Sequence, residues 1–233
     1  MITLQPQFNW RRLQASEAGF AHHVHLQAIA DQDYGLVRPD ELPHFIAHTS
    51  DAGAIIGCFY DKKAVDNTGH GMAEMIAYGV LGMNSATSTH MAQLLNIPDS
   101  VRKQFAILDG VACLPDWRGY GLHRESIQAR LEYARTAHRT LIGATVSPEN
   151  IVSLRGLLEA EFVVSTFAML YGGLVRFILK KNLEAPQLCW SLEKKVDASD
   201  RTAHQEALAL GLSAYACSQT SGGSWQLHYG YQA

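Results

Sequence analysis

The sequence predicts an α/β protein: a sheet flanked by helices and followed by a C-terminal helix–strand extension. Three observations predict it. Short segments rich in β-formers alternate with segments whose apolar residues recur at helical spacing. Near the middle, strand, helix, strand and helix follow one another directly. Turn-forming stretches join strands in two places, as hairpins do.

The elements are read in chain order. A short strand lies around Ile2–Leu4 or Trp10–Leu13, and Ser16 caps a helix carrying Phe20, Val24 and Ala28 at every fourth position. A second short helix follows "RPDE", with Leu42, Phe45 and Ile46 on one face. "AIIGCFY" (Ala54–Tyr60) and "MIAYGVLGM" (Met75–Met83) form a hairpin across the turn-rich "DKKAVDNTGHG". Asn84–Ser100 reads as a mobile loop carrying a turn of helix. "FAILDGVACL" (Phe105–Leu114) is a strand ended by Pro115. From Leu122 the period changes, and Ile127, Leu131 and Ala134 mark a helix through Ala137. The strand "TLIGATV" (Thr140–Val146) leads to Ser147-Pro148-Glu149, a helix start, with Ile151, Leu154 and Leu158 as the buried stripe. Strands Phe162–Leu170 and Leu174–Lys180 meet at "YGG". After Glu184 a linker-like piece leads to a helix, Arg201–Leu210. A terminal strand follows, in which Trp225, Leu227, Tyr229 and Tyr231 alternate with polar or small residues. Residues 1–184 are therefore expected to form one domain, and 185–233 an extension packed on the same sheet or at an interface.

Composition narrows the function classes. The 233 residues are 47% hydrophobic and 18% charged, with a formal net charge of -3. That balance gives no bulk attraction for nucleic acid or an anionic membrane. No apolar run is long and clean enough to span a bilayer, since Phe162–Leu179 contains Ser165, Thr166, two glycines and Arg176. "MITLQPQFNWRR" lacks the basic and apolar segments of a secretion signal, so a cytoplasmic location is expected. Cys58, Cys113, Cys189 and Cys217 make no CxxC pair and read as buried free thiols. His22, His23 and His25 lack a further ligand at metal spacing and read as surface or half-buried helix residues. No metal is expected.

The most informative stretch is "PDWRGYGLHRES", Pro115 to Ser126, where a strand runs through a glycine-bearing loop straight into a helix. The first amides of a helix have no helical acceptors and sit at the positive end of its dipole. Glycine permits a tight turn and close approach of a ligand, so the junction suits an anion such as phosphate. Arg118 can add a charge-assisted contact. A plain strand-to-helix turn uses the same residues. The loop has neither the GK[ST] of a Walker loop nor a third glycine for GxGxxG.

"LDGVACLPDWRGYGLHRESIQARLEYA" followed by "TVSPENIVSLRGLLEAEF" resembles the GCN5-related N-acetyltransferase (GNAT) superfamily. The R/Q-x-x-G-x-G/A motif corresponds to Arg118–His123, and the N-x-x-A/S…GF segment to Asn150, Ser153 and Phe162. The resemblance spans about Ile2 to Leu183 and implies a mixed, mostly antiparallel sheet with an acetyl-CoA site. It implies that the amides of Arg118, Gly119, Tyr120, Gly121, Leu122 and His123 hold the coenzyme A pyrophosphate. It implies also that Val111 and Cys113 pair with the pantetheine arm and that Asn150 contacts that arm. Three positions depart from the family. His123 replaces glycine or alanine, Glu161 replaces the glycine before Phe162, and Leu157 stands where a tyrosine general acid is usual.

Acetyl transfer needs a neutral amine, so a base must take its proton. Asp109, on the strand entering the loop, is the first candidate and Glu74 the second. Tyr171 and Tyr78 are candidate acids, and each also fits a packing role. Cys113 could carry an acyl group, but no motif places a histidine beside it. Three functions are consistent with this reading: an acetyl-CoA-dependent N-acetyltransferase for a small or amino-acid-like amine, an acyl-CoA-binding regulatory module without turnover, and a protein N-acetyltransferase. The expected partner is a small-molecule amine, with no nucleic acid or membrane, and the expected state is a monomer or homodimer.

Overall fold

A computed structural model describes residues 8–30, 39–60, 73–186 and 189–232. Along the chain the elements are β1 (Phe8–Arg12), α1 (Ala18–Ile29), α2 (Leu42–His48), β2 (Gly53–Tyr60), β3 (Glu74–Gly82), α3 (Ala86–Leu94) and β4 (Phe105–Cys113). There follow α4 (Leu122–Thr136), β5 (Leu141–Val146), α5 (Ile151–Glu159), β6 (Val163–Leu170), β7 (Leu174–Asn182), β8 (Trp190–Asp197), α6 (Arg201–Ala209), β9 (Ser213–Gln219) and β10 (Trp225–Gln232). The arrangement is mixed α/β with mostly antiparallel pairing, the fold class expected from the sequence. The chain divides into two compact units, residues 1–84 with 109–132, and 85–108 with 133–233. Strand β4 and helix α4 each contribute to both. No helix among the described residues is long and apolar enough to cross a membrane.

In the first unit the strand order is β1-β2-β3-β4. β1 pairs antiparallel with β2 (Trp10 opposite Cys58) and β2 with β3 (Gly57 opposite Tyr78). Both β2 and β3 are buried almost throughout, which is why they read as continuous apolar runs. One side packs Leu13, just after β1, with Ala21 and Val24 of α1, Phe45 of α2 and Tyr78 of β3. A second cluster holds Cys58, Ile76, Ala77 and Leu122, with Phe8, Trp10 and Trp117 against it. The Ile2–Leu4 alternative, Arg38 and the Asp61–Gly71 turn lie outside the described residues.

Several local expectations change here. Ser16 does not cap α1. It lies in a 3-10 turn, Ala15–Glu17, entered through a reciprocal capping arrangement of Gln14 and Glu17, and α1 begins at Ala18. Phe20 is 60% exposed, and the buried stripe consists of Ala21, Val24, His25 and Ala28. On α2 only Phe45 is buried among the three apolar residues, since seven residues present too narrow a face for Leu42 and Ile46 as well. His25 is buried at 1% exposure, because Tyr78 and the Asp40 backbone satisfy both ring nitrogens.

The second unit carries the order β4-β5-β7-β6-β9-β10-β8. Among the described residues one parallel ladder, between β4 and β5, runs from Phe105–Leu141 to Leu108–Ala144. β5–β7 and β7–β6 are antiparallel, and β9 joins β6 at Val164–Ala214. Asn84–Ser100 contains the helix α3, capped by Ser85 through the Ser88 amide and buried at Ser88, Met91 and Ala92. Its polar composition concealed it, because a single narrow stripe faces the cluster of Phe105, Ile107, Leu170 and Ile178. Helix α5 starts one turn later than Ser147-Pro148-Glu149, with Asn150 as the cap and Leu154, Leu157 and Leu158 buried.

The linker-like piece after Glu184 contains β8, and β9 follows α6, so the extension adds three strands. β8 is a mostly exposed strand carrying Glu193, Lys194 and Lys195, an edge composition that resists further pairing. In β10, Leu227 and Tyr229 are buried but Tyr231 is 49% exposed. The β10–β8 register shifts between Tyr229 and Gly230, where Glu193 of β8 has no opposite residue on β10. All four cysteines are free; only Cys58 is fully buried and Cys189 is exposed.

Candidate active site

The loop predicted from sequence is built for close approach. Gly119 and Gly121 have φ of +86° and +80°, and a Cβ at either position would find nothing within 4 Å. The glycines are therefore required by backbone conformation and leave open space beside the backbone. The Gly121 carbonyl accepts the Glu125 N–H at 3.1 Å, so α4 begins at Leu122 and its first-turn amides face the loop. A 15-residue helix stands behind them, its positive end at this point.

Neighbouring side chains hold the loop. Trp117 contacts Tyr60, Tyr120 and Phe8 at centroid distances of 4.6, 5.7 and 5.9 Å, and Trp10 Nε1 donates to Glu125 Oε2 at 2.9 Å. Leu122 anchors the first turn in the core, while Tyr120 is 52% exposed. Arg118 donates from Nη2 to the Ala28 carbonyl at 2.9 Å. Its charge thus closes the C-terminal end of α1.

His123, where the family has a small residue, is half-buried in the first turn of α4. Burial, with the Arg130 charge adding to it, lowers its pKa to about 4. The neutral ring is favoured in the fold, so stability is complete above the ordinary pKa of 6.5 and is lost as pH falls from 6.5 toward 4. The loss expected is up to about 3 kcal/mol. Burial lowers the His204 pKa as well and gives a slope of the same sign. Urea midpoints measured from pH 7 to 4.5 should therefore fall less steeply in His123→Ala than in the wild type.

Strand β4 changes character midway. Phe105–Leu108 are buried, whereas Asp109–Cys113, including Val111, are half-buried. The Cys113 thiol is raised by burial, and that of Cys58 nearby is pushed up to about 12. Neither is a thiolate at neutral pH, which argues against an acyl-cysteine.

Asp109 lies in a polar cluster of the first unit that the sequence did not reveal. Tyr78 Oη is 2.8 Å from His25 Nδ1, and His25 Nε2 accepts the Asp40 backbone N–H at 2.9 Å. Since Nε2 accepts, the neutral ring carries its proton on Nδ1 and donates it to the tyrosine oxygen. Gly110 leaves a slot beside this pair: a Cβ there would stand 3.7 Å from both Tyr78 Oη and Asp40 Oδ2. Beneath it Arg130 is 1% exposed and donates to the Ser126 and Val80 carbonyls. Burial lowers its pKa to about 10, opposed chiefly by the Asp109 carboxylate. The guanidinium fits because Gly79 has no side chain; a Cβ there would lie 2.6 Å from Arg130 Nε. His44 and His48 complete the cluster, within reach of Asp109.

The other predicted residues lie elsewhere. Glu74 opposes Tyr60 at the first position of β3, roughly 13 Å along the strand from Tyr78 at ~3.3 Å per residue. Tyr171 belongs to the second unit, at the β6–β7 turn with φ of +51°, its hydroxyl 3.4 Å from Thr145 Oγ1. Asn150 uses its Oδ1 to cap α5, and Leu157 is core. Glu161 takes φ of +62°, the conformation for which the family uses glycine, and pairs with Lys181 at 2.7 Å. A cavity of about 910 Å³ in the second unit is lined by Arg135, Lys180, Trp190 and Tyr215 among others, with Glu161 and Phe162 of the second motif block, and by none of the glycine-loop residues Arg118–His123.

No protein-family profile matches the chain, and no curated protein does. Solved structures match in fold. A protein of Acinetobacter baylyi ADP1 assigned as an acetyltransferase aligns with a TM-score of 0.57 at 14% identity, over 80% of this chain and 99% of that one. One from Salmonella typhimurium, with its cofactor acetyl-CoA, aligns at 0.54 and 14% over 78% and 99%. The diaminobutyrate acetyltransferase of Paenibacillus lautus, in complex with L-2,4-diaminobutyric acid and coenzyme A, aligns at 0.52 and 11% over 78% and 99%. At these identities the likeness establishes the fold. The chain folds as the GCN5-related N-acetyltransferases do, the family its motifs resemble.

Proposed function

We propose that this protein is an acetyl-CoA-dependent N-acetyltransferase acting on a small or amino-acid-like amine. One observation carries the reading: two glycines in left-handed conformation open a cradle at the start of α4, directly after the half-buried end of β4. The cradle fits a pyrophosphate, because its donors are backbone amides at a helix N-terminus and no side chain fills it. The backbone of Asp109–Cys113 is the segment that takes the pantetheine arm, as an extended ligand pairs with a strand.

Acetyl-CoA, when bound, supplies an activated acyl carbon. Asp109 takes the proton of the acceptor ammonium, directly or through water, so that the amine can attack. Tyr78 Oη delivers the proton that the departing sulfur needs, with the His25 Nδ1–H stabilising the tyrosine oxygen as it does so, and the nitrogen's second proton, shed as the tetrahedral intermediate collapses, restores Tyr78 through water. A backbone N–H of β4 meets the charge that develops on the carbonyl oxygen. Tyr78 thereby takes the role for which Leu157 is chemically unfit.

Calorimetric titration with acetyl-CoA, followed by a thiol-release assay across an amine panel, tests the reading. Micromolar 1:1 binding and release of coenzyme A with at least one amine are expected; failure of both refutes it. Leu157, buried at the usual acid position, favours one second reading, a regulatory acyl-CoA-binding module. Binding without turnover of any amine selects that module.

A further inference from the structure

We propose that His44, His48 and Asp109 form a binding site for one divalent transition-metal ion of the zinc type. The three residues come from the two separate segments of the first unit's sequence. His44 and His48 stand four residues apart on α2, and their rings lie 4.2 Å apart, tilted by 40°. Asp109 opens the half-buried part of β4, and one potential ligand atom from each residue lies within 4.8 Å of the other two.

His48 carries the argument. Its Nδ1 is 2.8 Å from the His44 carbonyl oxygen, which can only accept, so Nδ1 holds the proton and Nε2 presents its lone pair. A backbone carbonyl on the far nitrogen is the partner that fixes a metal-binding imidazole in its tautomer. The residue is 3% exposed, and its Nε2 has no hydrogen-bond partner among the described residues. A polar atom so placed is costly unless something binds it. The ring packs closely over the backbone of Gly53, where a Cβ would come within 2.9 Å of its Cδ2.

Two neutral imidazoles and a carboxylate are the donor set of zinc sites that keep a fourth position open. Ligand atoms around such an ion are about 3.4 Å apart, so closure needs movements of about 1 Å, which half-buried His44 and Asp109 can make. The buried Arg130 already offsets part of the Asp109 charge. The imidazoles then hold the ion, and the site discriminates against magnesium and calcium, which require oxygen donors. The site does not depend on acetyl transfer. If Asp109 also serves as the base, a bound ion withdraws it and saturating zinc lowers turnover.

The test uses the full chain and the metal alone. Cobalt(II) titration should give visible bands of four-coordinate cobalt, saturating at one equivalent. Zinc should displace it at micromolar concentration or below, and millimolar magnesium should not. His48→Gln, His44→Gln and Asp109→Asn should each weaken zinc at least tenfold. His23→Gln, on the exposed face of α1, should leave the affinity unchanged. Absence of saturable 1:1 binding, or equal weakening by His23→Gln, overturns the site. Since substitution of buried His48 can unfold the protein, X-ray absorption of the zinc-loaded wild type gives an independent readout. Two imidazole ligands support the site, whereas sulfur ligands or no imidazole overturn it.

Discussion

Gly121→Glu is expected to show no acetyl-CoA binding at concentrations that saturate the wild type. Two effects add. A side chain at φ of +80° leaves the favoured region at a cost of about 1–2 kcal/mol. The new carboxylate stands where a phosphate must come, and like charges ~4 Å apart repel by about 4 kcal/mol at an effective dielectric of 20. Together they correspond to a loss of about 10⁴ in Kd. Gly121→Ala carries the strain alone and should weaken binding about tenfold. Nothing lies within 4 Å of the added Cβ, so neither substitution disturbs the core and both variants should melt close to the wild type. A Gly121→Glu protein that binds within tenfold of the wild type would remove the cradle from the site.

Tyr78→Phe is expected to lower kcat by about 10²–10⁴ while leaving the Kd for acetyl-CoA within a few-fold. The hydroxyl is held at 2.8 Å from His25 Nδ1 beside the Gly110 slot, so its loss removes a proton donor without altering the backbone of β4. It also deprives the buried His25 nitrogen of a partner, which should cost about 1–3 kcal/mol of stability. Kinetics measured well below the melting temperature separate the two effects. Unchanged kcat refutes Tyr78 as the acid. A loss that appears equally in Kd assigns it a structural role instead.

The glycine loop before α4 was legible because all of its signals are local. Strand, proline, two glycines and an amphipathic helix occur within a few tens of residues, and the backbone conformations follow from residue type. The same held for α4, where Ile127, Leu131 and Ala134 are buried as their spacing requires. Segments whose burial is set by distant neighbours were misread. α3 exposes most of its polar surface, and β8 is a charged edge strand that resembles a linker. Phe20 and His25 exchanged their expected places, because Tyr78 supplies a buried acceptor for the histidine and nothing covers the phenylalanine.

From its own periodicity and turn chemistry, then, the sequence determined the α/β class, the order of its central elements and the loop at the start of α4. These depend on interactions between residues close in the chain. Only the tertiary structure assembled the polar cluster at Asp109. It brought His25, Asp40, His44, His48 and Tyr78 together with Asp109 and Arg130, and left Glu74 along the strand from them. Such a cluster has no sequence spacing to announce it. Its members are selected by burial and by mutual satisfaction of polar atoms, which exist only once the chain has packed.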